Sequence, residues 1–111
     1  MATRNYFTPD EITLCTYAAM YEAADFGGES KIEKLTHRSP GSIRMKIQNI
    51  AAMLDQADIP RQSSVTPLTG LPAGQTGRTT NWETVEPLTR LSRKVFLEKC
   101  HAIFASTLRA V

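Results

Sequence analysis

The chain has 111 residues, enough for one domain with a modest core and too few for two. Its 41% apolar and 22% charged residues are ordinary for a soluble globular protein, and a net charge of +2 does not by itself impose binding to nucleic acid. No apolar run is long enough to span a membrane and the N-terminus lacks the apolar stretch of a signal peptide, so no membrane partner and a cytoplasmic location are expected.

Met1 to Tyr6 read as a loose start. Thr8-Pro9-Asp10-Glu11 then predicts the opening of a helix. Thr8 is placed to cap, Pro9 suits the first helical position, and Glu11 completes a capping box, with both acids at the positive end of the helix dipole. Ile12, Cys15, Ala19 and Ala23 form one apolar side, and Leu14, Tyr17 and Tyr21 the adjacent one, so this helix is expected to pack on two sides. Gly27-Gly28 offers a left-handed stop, which predicts an end near Asp25.

A short second helix is predicted from about Ser30 to His37, with Ile32 and Leu35 inward. Ser39-Pro40-Gly41 then opens a third, with Ser39 as cap and Pro40 at the first position, running to about Asp55. Ile43, Ile47, Ile50 and Leu54 are spaced four, three and four apart, which lines up one stripe, and Ser42, Arg44, Lys46, Gln48 and Asn49 lie off it. A short helix, a tight turn and a second helix with basic and amide side chains is the pattern of a helix-turn-helix unit. Lys34, Arg38, Arg44 and Lys46 lie between Glu33 and Asp55 with no acid among them. Of 13 basic residues the other nine face all 11 acidic ones, so this segment carries +4 and the rest of the chain −2. A local positive field on a nearly neutral chain fits a polyanion site, and it also fits a solvated helix face.

Residues 59 to 80 contain three prolines, three glycines and no acid, and they read as a long loop. Val65, Leu68 and Leu71 are candidate anchors to the core, and Arg61 and Arg78 candidate phosphate contacts. Thr80-Asn81-Trp82-Glu83 again has the capping-box spacing. Pro87 predicts either a short turn ending before it or a kink. From Leu88 onward Leu91, Val95, Phe96, Cys100, Ile103, Phe104 and Leu108 give a wide apolar face, with Arg90, Arg93, Lys94 and Lys99 on the remainder. That face is expected to close the core over the first helix and to supply a homodimer surface, since DNA readers of this size commonly bind as two-fold pairs.

Catalytic chemistry is not visible. His37 and His101 are far apart without a Cys or acid cluster, and there is no C-x-x-C pair, H-E-x-x-H, phosphate loop or G-x-S-x-G elbow. Neither a cofactor nor a metal is expected, and no small-molecule substrate is evident. Cys15 and Cys100 are 85 positions apart in amphipathic helices and read as reduced packing residues, with a disulfide or reactive thiol the less expected alternative.

The pattern Tyr6-Phe7-Thr8, Glu11-Ile12, Tyr17, Ile32-x-x-Leu35, then Arg38-Ser39-Pro40-Gly41-Ser42-Ile43-x-Met45-Lys46-Ile47-x-Asn49, resembles the N-terminal module of some HNH-type restriction-like endonucleases. In those proteins an R-[ST]-P-x-S-[VI]-x-x-K-[LI]-x-N helix follows a helix opening with an aromatic, a hydroxyl residue and acids, and Trp82 fits the tryptophan segment that comes later. The resemblance covers residues 6 to 88, and its specific part is the string from Arg38 to Asn49. It implies a helical DNA-recognition module and carries binding roles to Arg38, Ser42, Lys46 and Asn49. The nuclease domain with its histidines and metal ligands is absent from this sequence, so nuclease activity is not implied.

The sequence therefore predicts an all-α domain: a helix-turn-helix-like trihelical unit over residues 6–55, a loop over 59–80 and a C-terminal amphipathic helix over 81–111. Its expected function is non-enzymatic binding of duplex DNA. Ser42, Arg44, Lys46 and Asn49 would face the major groove, and Lys34, Arg38 and Arg61 the phosphates. Ser42 and Asn49 also have structural readings, as helix cap and as partner of the following loop. The second reading is a protein-interaction module, an adaptor or inhibitor of a nuclease or other enzyme, acting through the C-terminal helix.

Overall fold

The computed structural model describes residues 7–62, 64–65, 67 and 81–109, with side chains through residue 106. Its first element obeys the capping signal. The Glu11 amide donates to Thr8 Oγ1 at 3.2 Å and the Thr8 amide to Glu11 Oε1 at 2.6 Å, which opens helix α1 at Pro9–Met20. A 3-10 turn follows at Ala23–Phe26, then α2 (Glu29–Thr36), α3 (Pro40–Gln56), α4 (Trp82–Leu88) and α5 (Arg93–Arg109). Among the described residues there is no strand, and no helix is long and apolar enough to cross a membrane.

Helix α1 is the axis of the core. Every residue from Glu11 to Met20 is buried, and α3, α4, α5 and α2 all pack on it. Tyr17 sits at the centre. Its ring lies 5.1 Å from Tyr21, 5.7 Å from Phe26 and 5.1 Å, edge-on, from Phe96. Such ring pairs add to the roughly 1.5–3 kcal/mol that burial of each large apolar side chain contributes. The expected stripe on α3 is in place, since Ile43, Ile47, Ile50 and Leu54 are fully buried. Val65 also reaches the core, as one of the three expected loop anchors. Leu68, Leu71 and Arg78 lie outside the described residues.

Four boundaries differ from the sequence expectation. α1 stops at Met20 instead of near Asp25, and the glycines end the 3-10 turn: Gly27 is left-handed at φ 115°, and Gly28 donates to Ala23 O at 2.8 Å. This early break brings the Asp25 carboxylate under Tyr17 Oη and against Arg93. The second helix ends at Thr36, because His37 is itself left-handed at φ 58°. The C-terminal helix is two helices. α4, expected to end before Pro87 or to kink there, includes the proline one residue before its end. α5 starts afresh, with Ser92 Oγ accepting from the Val95 amide at 3.2 Å. Asn81, not Thr80, precedes α4, in a left-handed conformation and without a side-chain cap. Thr80 lies outside the described residues.

The apolar side of α5 is used within the chain. Phe96, Cys100, Ile103 and Phe104 are buried, and α5 packs on α1 and the 3-10 turn. Among the described side chains, the exposed residues of α5 are Arg93, Lys94, Val95, Glu98, Lys99, His101, Ala102, Ala105 and Ser106. Of the apolar face expected to close the core and pair two chains, these four residues close the core, while Val95 is 48% exposed.

Candidate nucleic-acid interface

Three turn residues, His37 to Ser39, join α2 to α3. Ser39 Oγ accepts from the Ser42 amide at 3.2 Å, so the expected cap holds the head of α3. Of the seven residues expected to contact DNA, four have side chains bonded within the chain: Arg44, at the surface, and three held further in. Arg38 donates Nε to Glu11 Oε2 at 2.6 Å and Nη2 to Glu11 Oε1 at 3.2 Å, with both side chains 8% exposed. The Phe7 ring lies over its guanidinium at 3.9 Å. Burial pushes the Glu11 carboxyl up, but the Arg38 hydrogen bonds, the Thr8 amide and the Arg38 charge together hold it below its ordinary value.

Lys46 is the second. It lies off the isoleucine stripe but on its buried flank, 8% exposed, with Nζ donating to Asn81 Oδ1 at 2.8 Å and the Phe7 ring 5.4 Å away. Burial, aided by the Arg38 charge, pulls its ammonium below the ordinary lysine value. Arg61 is the third. It forks onto Asp55 at 2.8 and 2.9 Å and donates to the carbonyls of Gln62 and Val65 at 2.7 and 2.8 Å, which closes the bend after α3. In the free chain these contacts hold Arg38, Lys46 and Arg61, expected at phosphates or bases, against other parts of the fold. The physical reason is shared: each cation meets an oxygen supplied by another part of the fold.

The other four remain at the surface. Lys34 is exposed on α2, and Ser42 and Asn49 are half-buried. Arg44 keeps half of its side chain exposed while donating to Glu29 Oε2 at 2.7 Å. With Arg44 the structure groups three residues that were not singled out as contacts: Gly41, Met45 and Gln48. Positions 41, 44, 45 and 48 follow the one-face helical spacing opposite the isoleucines, so the signal was present as the complement of the apolar stripe. Pro40, Gly41, Arg44 and Met45 are exposed and Gln48 is half-buried. The ridge is confined to the first half of α3, because Ala52, further along the same line, is buried. A methyl built on Gly41 meets nothing within 4 Å, so the backbone there is open to close approach.

Among the described residues no group of three or more His, Cys, Asp or Glu side chains is placed to hold a metal ion. Comparison with protein-family models, with curated proteins and with solved structures gave no match.

Proposed function

We propose that this chain is a non-enzymatic duplex-DNA-binding protein that uses α2 and α3 as a helix-turn-helix. The observation that carries the reading is the outward ridge Gly41–Arg44–Met45–Gln48 at the head of α3. A recognition helix contacts base edges with its N-terminal residues, and this is the half of α3 left uncovered. Arg44 and Gln48 are side chains that pair bidentately with guanine and adenine. Lys34 on the preceding helix supplies a phosphate contact.

The geometry also sets the scale of the electrostatics. With Arg38 and Lys46 turned inward, the outward cations of the +4 segment are Lys34 and Arg44. Each phosphate contact contributes about 0.9 to the logarithmic salt slope, so the phosphate contact proposed for Lys34 accounts for a slope of only about −1. Fluorescence anisotropy with a labelled mixed-sequence duplex at rising salt tests this. Saturable binding with a shallow salt dependence is expected, and no binding at low salt would overturn the proposal.

A further inference from the structure

Met45 is unusual on this surface. Among the described residues the large apolar side chains left exposed are Met45, at 54%, and Val95, at 48%. Val95 stands on α5, and Met45 stands in the middle of the α3 ridge, next in sequence to Arg44 and one turn after Gly41. An isolated exposed apolar residue is ordinary. One flanked by a half-exposed arginine, on the face opposite the core stripe, beside a glycine with open space around it, has a defined chemical complement. The partner must carry negative charge for Arg44 and a small apolar group for Met45. It must also admit the Gly41 backbone closely.

A duplex major groove meets all three requirements, and its apolar group is the C5-methyl of a pyrimidine. Methionine suits that contact, because its unbranched, polarizable thioether adapts to a shallow apolar target. We propose that Met45 reads a pyrimidine C5-methyl, that of thymine or of 5-methylcytosine, at one position of the bound site. The inference rests on the DNA-binding reading of α3 and deepens it: Lys34 supplies general affinity, and Met45 adds a preference for the methyl.

The test begins with selection of a preferred site from a randomised duplex pool by the full chain. That site is remade with deoxyuridine in place of each thymidine in turn, and with 5-methylcytosine in place of each cytosine. At one position, loss of the methyl is expected to weaken binding about fourfold, the worth of one buried methyl. At that position cytosine is expected to bind like deoxyuridine and 5-methylcytosine like thymidine, which separates the two sources of the group. Met45→Ala is expected to erase the difference while its unfolding midpoint stays that of the parent chain, as befits a half-exposed side chain. Equal binding of all methyl variants, a methyl effect that survives in Met45→Ala, or the absence of any selected site would overturn the inference while leaving general DNA binding in place. No duplex binding at all would overturn both.

Discussion

Glu11 and Arg38 stand 27 residues apart in sequence, yet they form a two-pronged ion pair with both side chains 8% exposed. The same carboxylate accepts the Thr8 amide, so one side chain caps α1 and fastens the turn that leads into α3. Removing the cation leaves a buried, uncompensated charge, which costs about 3 kcal/mol. Arg38→Ala is therefore expected to lower the unfolding free energy obtained from urea titration by that amount and to leave duplex affinity unchanged where the chain is still folded. A loss of affinity at full stability would instead make Arg38 a DNA contact.

The same pair sets an acid limit. Glu11 is held below its ordinary value of 4.5, so its contribution to stability is fully present above that pH. It is lost as pH falls from about 4.5 through the lower folded-state value. Asp25, held down by the Tyr17 hydroxyl and Arg93, and Asp55, held down by Arg61, act in the same direction. Urea midpoints measured from pH 6 to pH 3 are expected to fall. Glu11→Gln is expected to make that fall shallower without abolishing it.

Lys46 invites the opposite substitution. It is a buried ammonium whose neighbours are the Asn81 carbonyl oxygen and the Phe7 ring. Removing the ammonium relieves its desolvation, with no carboxylate left unpaired, and costs the one hydrogen bond to the half-buried Asn81, so the two effects offset. Lys46→Met is expected to change stability by no more than about 1 kcal/mol and to leave duplex binding intact. A clear drop in affinity would show that the ammonium reaches DNA.

Two glycines are expected to respond in opposite ways. Gly27 is left-handed, and a Cβ there would lie 2.5 Å from Lys31 Cδ, so Gly27→Ala is expected to cost about 1–2 kcal/mol even after the lysine moves aside. Gly41 sits in the first turn of α3 with open space around it, so Gly41→Ala is expected to be neutral or to stabilise the fold by up to about 1 kcal/mol. Thermal unfolding of the two variants compares them directly.

Burial pushes both cysteine thiols up to about 12. With almost no thiolate at neutral pH, Cys15 and Cys100 are expected to resist a thiol reagent in the native state and to react once the chain is unfolded. Fast labelling of the folded protein would contradict this.

The elements were legible where a local signal fixes them. Thr8 with Glu11, Ser39 with Pro40, and the Ile43–Leu54 stripe each act within one or two turns, and all three are seen in the structure. The end of α1 was not legible: the break after Met20 goes with contacts of Asp25 to Tyr17 and to Arg93, the latter 68 residues away, which no local pattern announces. The candidate site was only half legible for the same reason. Arg38, Lys46 and Arg61 look in sequence like Lys34 and Arg44. What separates them is the position of Glu11, Asn81 and Asp55 in the folded chain. Glu11 was accounted for by its capping box, and nothing local announces its second partner.

The most direct test of the account is the salt dependence of duplex binding by the parent chain and by the double variant Lys34→Ala/Arg44→Ala, measured by anisotropy on one labelled duplex. Both side chains project from the surface, so the variant is expected to unfold at the parent's midpoint. Affinity is expected to fall by about tenfold or more at low salt, and the logarithmic slope to flatten by about 1 as the counterion displaced at the Lys34 phosphate contact is no longer released. An unchanged affinity and slope in the folded double variant would contradict the assignment of α2 and α3 as the DNA-binding surface.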